Sequence, residues 1–330
     1  MELLITGSTG FVGRNLLLKV VQDPRWSRII LPVRDPEKLQ GQLQGEGLDV
    51  GGRLCICRVT GDLWEIPSNV RPDLVIHAAG LLFGSSKDAY FQTNVEGSIR
   101  LVTRLPRTTR VIVLSSLAAG GPTPISVVAR GAQHQDTPVS FYGASKLTME
   151  RELRNRLGSR LLILRPPMVI GPRDTATVQL FQMVKGKVWI KPGFLPKHYS
   201  WIDVGDLSGA ILKAADMEEW PEATKFYLGS EETITDGQLL STAAAAIGSS
   251  GFALPLPQSV IRLASLVINA VPEWLDALPS MGTDRVRELL HRRWVCDGSL
   301  FADKFGWKAD STLNQSLQET AGWLKQQGKI

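Results

Sequence analysis

Thr6-Gly7-Ser8-Thr9-Gly10-Phe11-Val12-Gly13 stands between an apolar run, Leu3-Leu4-Ile5, and a segment whose Phe11, Val12, Leu16, Leu17 and Val20 recur at helical spacing. The run of three reads as a buried strand of a parallel sheet, so the glycines mark the turn that opens a helix. Each glycine has its own steric task. Gly7 permits a tight turn, Gly10 lets backbone N–H groups approach phosphate oxygens with no Cβ in the way, and Gly13 lets the helix pack close to the strand. A strand, a glycine turn and a helix N-terminus in this order form a seat for the pyrophosphate of a dinucleotide.

Outward from this turn, apolar runs alternate with helical patterns through the first half of the chain. Strands are expected at Glu2 to Thr6, Ile29 to Val33, Leu54 to Val59, Leu74 to His77, Val111 to Ser115 and Leu161 to Arg165, with helices starting near Phe11, Ala89 and Tyr142. Right-handed crossovers turn such βαβ units into a doubly wound parallel sheet, with its ligand crevice at the carboxyl ends of the strands. Beyond Pro166 the pattern changes to frequent Pro and Gly, scattered Trp and short strand-like pieces. The expected architecture is therefore α/β: a Rossmann sheet over 1–165 and a smaller, interleaved C-terminal substrate lobe over 166–330. A segment near 200–215 returns to the core as a helix, Leu207 to Ala215, capped by Asp206. The alanines at 243–246 suit another helix.

Composition excludes several classes. Hydrophobic residues at 43% and charged residues at 21% are ordinary for a folded globular chain and argue against disorder. The net charge of +5 is spread along the chain without a basic tract, so no nucleic-acid partner is expected. Cys55, Cys57 and Cys296 form an odd set, and Cys55-Ile56-Cys57 is read as a strand with its thiols on opposite faces. Neither a disulfide framework nor a metal site is expected, and a reducing, cytoplasmic compartment follows. Met1-Glu2 runs straight into the first strand, so no export signal is expected. Ser259 to Val271 is strongly apolar, but thirteen helical residues cover roughly 20 Å against a bilayer core of about 30 Å. It reads as a helix packed on the protein or covering a substrate entrance, and membrane contact is not expected.

Tyr142 and Lys146 lie four apart in Phe141-Tyr142-Gly143-Ala144-Ser145-Lys146, on one face of a helix. A nearby ammonium lowers the pKa of a phenol from about 10 toward a useful range. One connection earlier, Ser115 and Ser116 end a strand where a hydroxyl can reach a substrate oxygen. Together with Gly61-Asp62-Leu63, His77-Ala78-Ala79-Gly80, Asn94-Val95-Glu96-Gly97 and Arg165-Pro166-Pro167-Met168-Val169-Ile170-Gly171-Pro172, these residues make nearly the whole chain resemble the extended short-chain dehydrogenase/reductases. That group includes sugar-nucleotide epimerases, dihydroflavonol reductases and 3β-hydroxysteroid dehydrogenases. The resemblance implies Tyr142 as acid/base, Lys146 as ligand of the nicotinamide ribose and tuner of the tyrosine, and Ser116 rather than Ser115 as the residue that orients the reacting oxygen. It further implies cofactor contacts from Thr6, Gly7, Thr9, Gly10, Phe11, Val12, Gly13, Asp62, Leu63, Ala78, Ala79, Gly80, Asn94 and Pro166. A homodimer paired through two long helices per subunit is what the family suggests. His77 reads as structural, His134 and Asp136 as loop polarity.

The end of the second strand selects the cofactor. NAD enzymes of this fold usually carry a carboxylate there, roughly 20 residues past the glycines, to accept from the ribose 2'-hydroxyl. Here Leu31-Pro32-Val33 is followed by Arg34, which favours a 2'-phosphate and hence NADP over NAD. Asp35 is the competing reader if the register shifts by one, and Arg14 and Lys38 add positive charge nearby. The leading reading is an NADP(H)-dependent oxidoreductase acting on a carbonyl or alcohol of a fairly large, partly apolar small molecule. An NAD-dependent nucleotide-sugar epimerase and a non-catalytic dinucleotide sensor are the alternatives. A 4,6-dehydratase is disfavoured, because Ser116-Leu117-Ala118 stands where that branch has Thr-Asp-Glu. Pocket lining is expected from Leu81 to Ser85, Pro166 to Val169, Arg173 and the Lys191 to Tyr199 loop, where Lys191, Lys197 and Tyr199 are candidate phosphate ligands.

Overall fold

The computed structural model describes residues 1–48, 52–59, 70–221, 225–260 and 283–330. Strands β1 (Glu2–Thr6), β2 (Arg28–Val33), β3 (Leu54–Arg58), β4 (Leu74–His77), β5 (Arg110–Leu114) and β6 (Leu161–Arg165) fall within one residue of the apolar runs that predict them. Leu3, Leu4 and Ile5 are fully buried, as a central strand covered on both faces requires. The intervening helices are α1 (Phe11–Val20), α2 (Pro36–Gly45), α3 (Lys87–Phe91), α4 (Gly97–Thr103), α5 (Leu117–Gly120) and α6 (Phe141–Leu157). A π-helical turn, Gln92–Glu96, joins α3 to α4.

After Pro166 come β7 (Met168–Ile170), α7 (Val178–Val184), β8 (Val188–Pro192), β9 (His198–Asp203), α8 (Val204–Asp216), β10 (Lys225–Tyr227), β11 (Thr233–Thr235), α9 (Asp236–Ala246) and β12 (Phe252–Leu256). A helix over Thr283–Leu290, β13 (Arg293–Trp294) and helices over Ser299–Phe305 and Leu313–Gln326 follow.

The main sheet is parallel throughout, in the order β10-β6-β5-β4-β1-β2-β3. Chain order reverses between β1 and β4, so the crevice opens over the glycine turn. In the smaller lobe β9 pairs antiparallel with β11 and parallel with β7 and β13, while β8 and β12 form a two-stranded parallel ribbon. The lobes interleave: β10 joins the main sheet beside β6, and α8 lies along α1. Leu207, Ala210, Ile211 and Ala214 thereby join Leu16 and Leu17 in one core cluster. Each such Leu or Ile contributes about 1.5–3 kcal/mol by leaving water.

Two expectations need correction, and one helix was missed. The cap of α8 is Asp203, whose Oδ1 accepts from the Gly205 N–H at 2.6 Å, whereas Asp206 accepts from the Ser311 N–H at 3.0 Å. Strand β9 runs into α8 without a loop, so the cap is the last strand residue. Cys55 and Cys57 face the same side, with their Sγ atoms 3.6 Å apart, because positions i and i+2 of a strand share a face. Helix α2 went unpredicted although Asp35 caps it and Pro36 occupies its first turn. The apolar 259–271 segment lies, from residue 261, outside the described residues, as do Gly61, Asp62 and Leu63. Among the described residues no helix is long and apolar enough to cross a membrane, and no group of side chains is placed to hold a metal.

Candidate active site

The glycine turn is shaped by backbone proximity. Gly7 has φ of +75°, and a Cβ there would lie 2.7 Å from the Ala79 nitrogen, so only glycine lets the turn nest against the loop after β4. A Cβ on Gly13 would meet the Gly7 carbonyl oxygen at 2.2 Å, which fixes the close approach of α1 to β1. Gly10 supplies no side-chain cap and the first turn of α1 holds no acid, which leaves a helix N-terminus suited to an anion. The Ser8 hydroxyl beside it is buried without a partner among the described residues. Residues present at this turn therefore fit a dinucleotide pyrophosphate.

Behind the turn a chain of hydrogen bonds ties β1, β4 and α4 together. The Ala79 N–H donates to Thr6 Oγ1 at 3.2 Å, and Thr6 Oγ1 lies 2.7 Å from His77 Nδ1. His77 Nε2 is 2.7 Å from Ser98 Oγ, which itself donates to the Asn94 carbonyl at 2.6 Å. Counting donors leaves Nε2 protonated and Nδ1 accepting, hence a neutral imidazole. Burial, aided by the positive charge of Lys146, pushes the His77 pKa down to about 3. His77 is structural. Asn94, buried in the π turn, accepts from the Leu81 N–H at 2.7 Å and donates to the Leu81 carbonyl at 3.1 Å and to Ser145 Oγ at 2.9 Å. It locks the loop that follows Gly80 against α6.

The two serines at the end of β5 divide their tasks. Ser115 is buried and donates to Glu150 Oε1. Ser116 is half-buried and caps α5, its Oγ accepting from the Ala118 N–H at 3.1 Å, so its hydroxyl hydrogen stays available to a substrate oxygen. Ser140 starts α6 in the same way, accepting from the Gly143 N–H at 2.9 Å. Tyr142 and Lys146 then share a face of α6, both buried. The Lys146 ammonium donates to the Leu114 carbonyl at 2.9 Å, and a Cβ on Gly80 would sit 2.9 Å from Nζ, so Gly80 makes room for this side chain. Burial lowers the Lys146 pKa to about 8, against the pull of Glu150.

Gly143 sets the distance between the elements that carry Ser116 and Tyr142. A Cβ there would stand 2.4 Å from the Ala118 carbonyl oxygen, in the turn that Ser116 caps. Gly143→Ala is expected to push α6 off α5 and cut kcat by about 100-fold or more, the scale of a displacement near 1 Å. Steady-state kinetics at saturating cofactor test this, and unchanged kcat would refute the spacing argument.

An apolar wall surrounds Tyr142: Tyr90, its ring 6.1 Å away, with Leu81, Tyr199, Trp294 and Cys296 in the same cluster. Of the expected pocket residues, Arg173 turns away to Glu46 and Asn15. Lys197 is buried and donates to the Leu289 carbonyl, and Lys191 pairs with Asp236 at 3.7 Å. Arg14 is packed under α2 with Gln42 and Glu46. Asp136 is ion-paired to buried Arg165 and to Lys225, and His134 Nδ1 accepts from the Gly131 N–H. Pro166 sits at the carboxyl end of β6, where its carbonyl accepts from the Leu117 N–H.

Sequence reasoning missed two groups. Asp284, from the Thr283–Leu290 helix, accepts from the N–H of Phe141 at 2.6 Å and of Tyr142 at 3.1 Å, capping the helix that carries the tyrosine. At 142 residues' separation it left no signal. Glu150 did leave one, since it continues the four-residue spacing of Tyr142 and Lys146.

At the other end of the crevice Arg34 follows β2 directly and is exposed. Asp35 accepts from the Lys38 N–H at 2.9 Å as the cap of α2, so its carboxylate is turned to the helix. The nearby Arg58 grips Glu37.

A family model described as the NAD dependent epimerase/dehydratase family matches residues 3–229. The ceramide reductase of Caulobacter vibrioides is 28% identical over 333 residues, covering 97% of this chain and 95% of that protein. The UDP-glucose 4-epimerase of Vibrio cholerae is 22% identical over 334 residues, covering 97% and 94%. The crystal structure of a UDP-glucuronic acid 4-epimerase from Bacillus cereus, in complex with UDP-glucuronic acid and NAD, aligns with a TM-score of 0.75 at 18% identity. It covers 99% of this chain and 100% of that one, and the likeness shows the fold.

Proposed function

Because this chain belongs to the NAD dependent epimerase/dehydratase family, we propose that it uses NADP(H) to interconvert a carbonyl and an alcohol on a large, mostly apolar substrate. When bound, the cofactor supplies or accepts the hydride. Tyr142 moves the proton at the substrate oxygen, Ser116 donates a hydrogen bond to that oxygen, and Lys146 holds the nicotinamide ribose and favours phenolate on Tyr142. The apolar wall of Tyr90, Leu81, Tyr199 and Trp294 excludes water from this proton transfer. Likeness to a ceramide reductase along almost the whole chain supports a lipid-like substrate.

The observation that carries the NADP reading is the pair at the end of β2. Arg34 is exposed and, among the described residues, its guanidinium has no ion-pair partner, while the Asp35 carboxylate is engaged as a helix cap. A 2'-phosphate offers that guanidinium a bidentate, charge-assisted bond. Titration of the cofactor-stripped protein is expected to give roughly 10- to 100-fold tighter binding of NADPH than of NADH, lost in Arg34→Asp. Tighter binding of NADH would reject this reading.

A second reading, a nucleotide-sugar epimerase working with NAD, draws support from the relatives with that activity. It requires a seat for a sugar-nucleotide diphosphate. Lys191 and Lys197, the cations nominated for it, are engaged with Asp236 and with a backbone carbonyl, which favours the apolar substrate.

A further inference from the structure

The β8–β12 ribbon has two unlike faces. Trp189 and Ala253 point inward to the core of the smaller lobe. Val188 and Ile190 point outward from β8, and their register partners Phe252 and Leu254 point outward from β12. Ile190 is 52% exposed and Phe252 60%, values that soluble surfaces avoid for contiguous large apolar side chains. The exposed row continues past the ribbon into Phe194 and Leu195, then β9, whose Tyr199 belongs to the wall around Tyr142.

Among the described residues, exposed Lys185 and Lys187 stand just before Val188, whereas Lys191 is paired with Asp236 and Lys197 is buried. At the start of the ribbon, Lys185, Lys187, Lys325, Ser249, Ser250 and Ile330 line a cleft of about 360 Å³. An apolar platform with exposed Lys185, Lys187 and Lys325 at one end matches the interface of an anionic bilayer, whose acyl boundary takes the apolar side chains and whose headgroups meet the lysines. A second copy of this chain fits less well, because strands β8 and β12 carry no carboxylate to meet the exposed lysines at the start of the ribbon.

We propose that the β8–β12 face is a docking surface for an anionic lipid membrane. The expectation of no membrane contact weighed the 259–271 segment and not the two strands of the ribbon, which carry no helical signature. Docking stands independently of the reaction proposed above, and gives an enzyme of lipid-like substrates direct access to them.

Co-sedimentation of the full-length protein with phosphatidylcholine vesicles, with and without phosphatidylglycerol, tests it. Sedimentation with the anionic vesicles is expected, weakened by high salt, and roughly tenfold or more weaker for the double variant Ile190→Glu, Phe252→Glu. Both side chains are exposed, and unchanged NADPH affinity of the variant verifies its fold. Failure to sediment with either vesicle, or equal sedimentation of the variant, overturns the proposal. So does a concentration-dependent dimer that the same substitutions dissociate, which would assign the face to a second copy.

Discussion

Tyr142→Phe loses turnover by a factor of roughly 100 to 10,000 or more, the contribution of a positioned general acid or base, while affinity for NADPH stays intact. The ring is buried against Tyr90 and Leu117, so phenylalanine keeps the packing and only the hydroxyl is lost. Stopped-flow measurement of the reduction step with calorimetric titration of the cofactor separates the two effects. Undiminished turnover would remove Tyr142 from the chemistry, and lost cofactor affinity would make its role structural. The same site predicts an alkaline limit. Burial holds the Lys146 pKa near 8, below the ordinary lysine value, so the ammonium that stabilises phenolate is lost as pH rises through that value, and the rate falls with it.

What was legible from the residues had local causes. Apolar runs of four to six residues gave β1 to β6, and the glycines announced the turn because each answers to a contact within one βα unit, Gly13 to the Gly7 carbonyl above all. Tyr142, Lys146 and Glu150 recur every fourth residue, so their shared face follows from helix geometry. Contacts between distant segments were illegible. Asp284 reaches the start of α6 only because the smaller lobe folds back over it, and Lys197 ends on the Leu289 carbonyl for the same reason. The exposed ribbon was illegible for another cause: nothing in the alternation of Val188, Ile190, Phe252 and Leu254 tells a face packed on protein from one left open.

Glu150→Ala is expected to destabilise the protein by about 3–5 kcal/mol, the scale for breaking one partner out of a buried ion pair. Arg165, fully buried, has five N–H donors and all five are used. Nε and Nη2 reach Glu150 at 2.8 and 2.5 Å, Nη1 and Nη2 reach Asp136 at 2.6 and 3.0 Å, and Nη1 also reaches the Tyr227 hydroxyl at 2.8 Å. Lys225 closes the set on Asp136 at 3.1 Å, so two cations face two carboxylates. Alanine at 150 leaves a buried net positive charge, two guanidinium donors unmatched and the Ser115 hydroxyl without its acceptor. Glutamine keeps the shape and one acceptor oxygen, so Glu150→Gln falls between alanine and wild type in urea denaturation. A second effect separates anchoring from stability alone. Glu150 lies one turn from Lys146 and raises its pKa, so losing the carboxylate moves the alkaline limit of the rate to lower pH. A loss below about 1 kcal/mol, the scale of a surface pair, would contradict the buried network. An unmoved alkaline limit in a folded variant would confine Glu150 to anchoring the helix. The two readouts together test whether the charge that clamps α6 to β6 also sets the protonation of the lysine above it.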